Sequence, residues 1–224
     1  MINDGTHTQA SCLCGGLQLR ISPPNEDSTT PHSGYADLIM PFHSGNPDIK
    51  NPHDEKWWLR QNKTKYLAGL CACQSCRLAS GFELQSWAFV PRLNIEYCIP
   101  STDGDGDAAK AWSGLDFDAL HAAGVLRSYK SSPGVLREFC PTCGATAFWH
   151  DEWRPDLIDV SAGLFNSVDG ARVESLLDWW TSRISFAEDA TLGRTGSGAV
   201  RADWLVKGVE TCMKEYAKGR TEKV

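Results

Sequence analysis

A chain of 224 residues with 22 basic and 28 acidic side chains, and hence a formal charge of −6, has the length for one domain with a substantial core and some decoration. Its Lys and Arg residues are scattered and form no stripe, which argues against nucleic acid and anionic membrane as partners, and no stretch approaches the roughly 20 apolar residues of a membrane helix. The amino terminus, MINDGTHTQASC, has neither a basic start nor an apolar run, so the expectation is a soluble, cytoplasmic protein whose partner is a small molecule.

In chain order, Leu17, Leu19 and Ile21 alternate with polar neighbours, so Cys12 to Ile21 reads as a half-buried strand opened by its cysteines. From Ser22 to Lys65 the chain is rich in Pro, Asn, Ser and His, and no period holds. Connections are commonly about 4–6 residues, so this insertion (22–65), with Trp57 and Trp58 near its end, reads as a lid pinned by aromatics. Strand-like runs follow at FELQSWAFV (82–90), GVLRSYKS (124–131), LREFC (136–140), ATAFWH (145–150) and DLIDVSAG (156–163), separated by Pro and Gly signals. The spacing implies a mainly β fold of antiparallel sheet. A second inserted loop spans 100–123. Within it DGDGDAAKAWSG (103–114) has the alternating aspartates of a calcium loop, but Ala108 stands where Gly is required and Gly114 where a bidentate Glu is needed, leaving a solvated acidic loop. Near the end Trp204, Leu205, Val209, Cys212, Met213 and Tyr216 recur at helical spacing. An amphipathic helix over 201–217 follows, with Cys212 on its apolar face.

The nine cysteines stand at 12, 14, 71, 73, 76, 98, 140, 143 and 212. An odd number in tight clusters suits thiolate metal ligands in a reducing compartment better than disulfides. Side chains two apart on a strand share a face, so Cys12 and Cys14 can reach one ion, and Gly15-Gly16 lets the chain turn close to it. Cys140-Pro-Thr-Cys143-Gly144 is a knuckle that brings two sulfurs together by a tight turn. The two half-sites make four thiolates, a structural zinc shell tying the first strand to a distant hairpin, with buried unligated cysteines as the bland alternative. Cys71, Cys73 and Cys76 remain as a compact set of three, which matches a catalytic zinc that leaves one position open. Cys98 could close that shell, although EYCIP reads as an apolar strand end. Cysteine-only shells also suit iron–sulfur clusters, which usually take four. Zinc, two ions per chain, is the simpler expectation.

The combination CLCGG (12–16), CACQSCRLASG (71–81), YKSSPGVLREFCPTCGA (129–145) and DLIDVSAGLF (156–165) resembles the family of glutathione-dependent formaldehyde-activating enzymes and centromere protein V. The resemblance spans most of the chain in order. It implies one catalytic domain over 1–224, built as coiled antiparallel sheets in a zinc-supported β-tent, the fold shared with methionine sulfoxide reductase B. It also implies Cys12, Cys14, Cys140 and Cys143 as structural zinc ligands and Cys71, Cys73 and Cys76 as catalytic zinc ligands. The 22–65 and 100–123 insertions are longer than in compact bacterial members, and WWLR (57–60), KYLAG (65–69) and WWTSRISFAEDA (179–190) look more like fungal ones.

Further candidates surround these ligands. Arg77 follows the third cysteine of its set, and Arg137 precedes Cys140 by three; either could hold a substrate carboxylate bidentately or offset the negative charge of a thiolate-rich centre. His43 and His150 are candidate proton carriers, with ordinary hydrogen-bonded or exposed histidines as the alternative. Ser131 and Ser132 fit a turn, Trp149 and Trp153 a core, and Trp57 and Trp58 loop anchors that could also wall a pocket. The expected function is a zinc-dependent carbon–sulfur lyase or synthase joining a small electrophile to a thiol, of the glutathione-plus-aldehyde type. Two alternatives stand beside it: a zinc lyase or hydrolase of small-molecule biosynthesis without glutathione, and a non-catalytic zinc-supported binding module.

Overall fold

A computed structural model describes residues 7–41, 46–99 and 111–221. Its elements in chain order are β1 (Thr8–Ser11), β2 (Gln18–Ile21), β3 (Leu59–Arg60), β4 (Lys65–Cys71), α1 (Gln74–Ser80), β5 (Gln85–Pro91), β6 (Ile95–Cys98), β7 (Ser113–Gly114), α2 (Phe117–Ala122), β8 (Arg127–Ser132), β9 (Val135–Phe139), β10 (Thr146–Asp151), β11 (Leu157–Ser161), β12 (Phe165–Asn166), β13 (Leu177–Trp179) and α3 (Gly196–Thr221). They make a mainly β protein with a C-terminal helix. A five-stranded sheet runs β12-β1-β2-β6-β7, and an eight-stranded one runs β13-β4-β5-β11-β10-β9-β8 with β3 also on β4. Pairing is antiparallel apart from β13 on β4.

The alternation of side chains along a strand divides the large sheet into two working faces. Tyr66 and Ala68 of β4, Ala88 and Val90 of β5, and Ile158 and Val160 of β11 join Leu19, Ile21, Ile95 and Tyr97 of the small sheet in the main core. The intervening Leu67, Phe89 and Leu157 pack with Ala36, Leu38, Trp57 and Trp58 of the long insertion. Because both faces are covered, these strands read as nearly continuous apolar runs. Trp58 is fully buried and donates its Nε1 proton to Ser28 O at 3.0 Å, while Trp57 meets Phe89 edge-on at 4.9 Å between ring centroids. Each such ring contributes roughly 1.5–3 kcal/mol of burial, so the insertion is held down at its tryptophans. Gly69 completes the fit: a Cβ there would lie 2.4 Å from a Leu38 methyl, so only glycine lets Leu38 close against β4 without displacement.

Several elements differ from the sequence reading. Cys12 to Ile21 is not one strand: β1 and β2 form a hairpin, and Cys12 and Cys14 sit in its turn. The reason is Gly15, whose φ of +75° reverses the chain where a strand would continue. The insertion at 100–123 carries structure in its second half, where Phe117 and Leu120 of α2, and Leu115 just before it, enter the core; residues 100–110, with most of the acidic loop, and His43 lie outside the described residues. The C-terminal helix is longer than expected and rotated. Ala202, Val206, Val209 and Met213 pack on Ala72, Ile184 and Ala190, whereas Cys212 is exposed and Trp204 is 76% exposed. Its contact is one narrow stripe, so apolar residues off that stripe face water. Trp153, expected in the core, is also exposed, because it follows the end of β10. Among the described residues no helix is long and apolar enough to cross a membrane.

Candidate metal centres and the adjoining cavity

The first cysteine group forms between two turns. Gly144, at φ +73°, reverses the β9–β10 hairpin as Gly15 reverses the first one. Cys140 N–H donates to Ala145 O at 3.0 Å and Gly144 N–H to Cys140 O at 2.9 Å, closing the knuckle. The result gathers Cys12, Cys14, Cys140 and Cys143 with their sulfurs within 4.8 Å of one another. Cys12 Sγ and Cys140 Sγ lie 3.4 Å and 3.5 Å from Cys14 Sγ. Sulfurs bound at about 2.3 Å around a tetrahedral ion stand ~3.8 Å apart, so this group fits one ion with little adjustment. The Leu17 amide donates to Cys12 Sγ at 3.3 Å, and the Ala145 amide helps push the Cys143 thiol down to about 6, which favours the ligating thiolate.

The second group is built where β4 runs into α1. Cys71 ends the strand, Cys73 caps the helix with its Sγ accepting from Cys76 N–H at 3.3 Å, and Gly81 closes the helix in the left-handed region at φ +69°. Neither α1 nor its cap was expected from sequence, although the Gly81 stop signal was there to read. The sulfurs of Cys71, Cys73 and Cys76 again lie within 4.8 Å of one another. Hydrogen bonds from the Cys71 and Cys76 thiols, joined by the Cys76 amide and the Arg137 charge, push Cys73 down to about 3. The same sharing, with burial, raises Cys71 well above the ordinary thiol value. Both groups can hold metal ions, and their all-sulfur donor sets are compatible with zinc. Cys98 joins neither group among the described residues: it ends β6, buried, with its Sγ 3.7 Å from Ile99 O.

A cavity of about 380 Å³ opens at the three-cysteine group, on the sheet face away from the main core. Strand register explains its walls. Phe89, Asp159, Trp149 and Arg137 are direct cross-strand neighbours on β5, β11, β10 and β9, so one row of alternate positions lines it. Trp87 donates its Nε1 proton toward Cys76 Sγ at 3.5 Å. Arg137, only 4% exposed, donates from Nε to Ser75 Oγ at 3.1 Å and from Nη2 to Cys76 Sγ at 3.5 Å. Its buried Nη1 has no partner among the described residues, which is costly unless a ligand or water accepts from it.

Asp159 and Arg154 were not picked out from sequence. Arg154 is buried with Nη2 2.8 Å from an Asp159 oxygen and 3.3 Å from an Asp37 oxygen, and its Nε is 3.5 Å from Asp151. One guanidinium thus faces several carboxylates. Burial pushes Asp159 up to about 8 despite the opposing pull of Arg154, with the Asp37 charge adding to the rise. The available signal was a carboxylate inside Leu157-Ile158-Asp159-Val160, a strand apolar on both faces.

The remaining candidates separate. Arg137 lines the cavity and Arg77 does not: one residue past Cys76 on a helix, its side chain is turned by about 100°. Ser131 and Ser132 line it too, at the end of β8. His150 is placed elsewhere. Its Nε2 is 3.1 Å from a Glu138 oxygen and its ring stacks on Phe117 at 4.1 Å, and it is absent from the cavity wall. Burial disfavours the charge on Glu138, but hydrogen bonds from His150, His121 and Ser128 still hold its pKa below the usual value. The parity of β9 puts Arg137 and Glu138 on opposite faces, so His150 serves the core side.

Comparison with family profiles finds no match for this chain, and comparison with curated proteins finds none either. Among solved structures it is similar to a Rhodobacter sphaeroides protein determined by structural genomics, at 13% identity over 77% of this chain and 99% of that one, with a TM-score of 0.38.

Proposed function

We propose that the protein is a zinc-dependent carbon–sulfur lyase or synthase, with a structural zinc at Cys12, Cys14, Cys140 and Cys143 and a catalytic zinc at Cys71, Cys73 and Cys76. The observation that carries this reading is the three-sulfur group opening on a cavity beside an unsatisfied buried guanidinium. The resemblance of the cysteine motifs to glutathione-dependent formaldehyde-activating enzymes supports it. When bound, zinc in a three-thiolate setting supplies an acidic position for a sulfur or oxygen atom.

The chain's own residues supply the rest. Arg137 Nη1 donates to the oxygen that gains charge as a thiol adds to a carbonyl, a buried position where such a donor counts most. Trp87 and Arg137 both donate toward Cys76 Sγ, which lowers that sulfur's negative charge and keeps it in place. Trp149 and Phe186 give the cavity aromatic walls. In the synthetic direction the thiol sulfur forms the new S–C bond, the carbonyl π pair moves to oxygen, and the thiol proton ends on that oxygen; cleavage reverses each movement.

The test is formaldehyde mixed with a thiol and zinc-loaded protein, with the hydroxymethyl thioether followed by NMR. Wild type should speed its formation over the buffer rate and Cys76→Ala should not. Equal rates for the two proteins overturn the reading.

A further inference from the structure

A second cavity, of about 540 Å³, adjoins the first and shares its walls at Asp37, Trp149 and Phe186. With that shared wall, the two cavities lie side by side between the three cysteines and the 33–40 segment. Both volumes fall within the range of small-molecule sites. The far part is walled by Tyr35, Met40, Ile49 and Trp153, and Tyr35 and Trp153 are large aromatic side chains left 45% and 60% exposed at its edge. Apolar and aromatic walls of this kind recognise a hydrocarbon or ring, not a charged peptide.

Charge points the same way. The near part carries Asp37 and Asp189, beside an Asp159 that burial keeps largely protonated, and Arg137 is its one lining guanidinium. In the far part Arg154 is already engaged by Asp37, Asp151 and Asp159, and Arg183 donates from Nη1 to Leu38 O at 2.7 Å. Three thiolates around a dication add a further net negative charge. Glutathione brings two carboxylates, and with Arg154 engaged by aspartates and Arg183 by a carbonyl, this space leaves them Arg137 as the guanidinium with an unpartnered nitrogen.

We infer that the substrate of the three-cysteine centre is an elongated, uncharged molecule with an aromatic body, its sulfur or carbonyl end at the cysteines and its body between Trp149, Phe186 and the 33–40 segment. This rests on the carbon–sulfur reading for the reacting end and on the far cavity for the body. Met40 on that segment contacts the body, so its size sets how long a substrate fits.

The test uses cobalt-substituted full-length protein at neutral pH, with thiol binding read from the sulfur-to-cobalt absorption bands. The probes are 4-phenylbutane-1-thiol, 2-mercaptoethanol and glutathione. The phenylbutyl thiol should bind at least about tenfold more tightly than either other thiol, the value of burying one ring. The ratio of its affinity to that of 2-mercaptoethanol should collapse toward one in Met40→Trp, which fills the far cavity, and persist in Met40→Leu, which controls for folding. Tighter binding of glutathione, or a ratio untouched by Met40→Trp, overturns the inference. Calorimetry with 4-phenylbutan-1-ol separates the two claims, since it needs no sulfur. If no thiol alters the cobalt bands but the alcohol binds wild type and not Met40→Trp, the carbon–sulfur reading fails and the aromatic site stands. If the alcohol does not bind wild type, the aromatic site fails.

Discussion

Arg137 on β9 donates to Cys76 Sγ on α1 at 3.5 Å and to the neighbouring Ser75 Oγ at 3.1 Å. One buried guanidinium therefore ties the helix that carries a candidate metal ligand to the sheet that carries the cavity. Its third nitrogen, Nη1, is buried with no partner among the described residues. Replacing it should affect binding more than folding of the rest of the sheet. Arg137→Met is expected to weaken thiol binding to the cobalt-loaded protein about 10- to 100-fold, the range of a lost charge-assisted hydrogen bond. Arg77→Met, outside the cavity, should change it by less than about threefold. Equal losses in the two variants would remove Arg137 from the site.

Metal content separates the two cysteine groups. Purified protein should carry two zinc ions per chain by elemental analysis, because the seven sulfurs divide into a set of four and a set of three. Cys140→Ala opens the joint between two hairpins and should yield unfolded or insoluble protein, since the binding energy of a structural ion is folding energy. Cys76→Ala should stay folded by circular dichroism with about one zinc fewer. Loss of fold in both would make the second group structural as well.

Asp159 predicts a pH dependence of stability. Its folded-state value of about 8 lies above the ordinary 3.8, so the native state holds a proton there that the unfolded chain releases. The stabilisation is complete below the unfolded value and is lost as pH rises through about 8. Arg154, Asp37 and Asp151 are the charged groups packed around it. Urea midpoints measured between about pH 5 and 8.5 should fall more steeply for wild type than for Asp159→Asn, which cannot titrate. Identical slopes would mean that Arg154 keeps Asp159 ionised throughout.

Gly69 and Leu38 predict a coupling. Gly69→Ala sets a methyl 2.4 Å from a Leu38 methyl, so Leu38 must rotate away from β4 at a cost of about 1 kcal/mol. In a Leu38→Ala background the same substitution should cost almost nothing. A double-mutant cycle by denaturant unfolding reads the difference directly, and an additive result would show that Leu38 does not rest on Gly69.

Much of the candidate site was legible locally because each half of a cysteine group is made by a turn only a few residues long. CLC with two glycines, CPTCG and CACQSC each bring sulfurs together whatever surrounds them, and the division into sets of four and three follows. The mainly β character and the C-terminal helix were legible for the same reason: alternation and helical spacing are properties of neighbours along the chain. Tertiary structure decided which residues meet those sulfurs. Arg77 stands next to a cysteine in sequence and Arg137 three residues from one, yet the parity of β9 aims the more distant of the two into the cavity. Asp159 looks like an interruption in an apolar strand until Trp149 and Phe89 are placed beside it by register. Trp153 and Cys212 look apolar enough to be buried and are not, because burial depends on what packs from elsewhere. Periodicity tells a helix that it has a face, and only the partner says which stripe is covered; for the C-terminal helix that stripe was set by Ala72, Ile184 and Ala190, none of which lies within it.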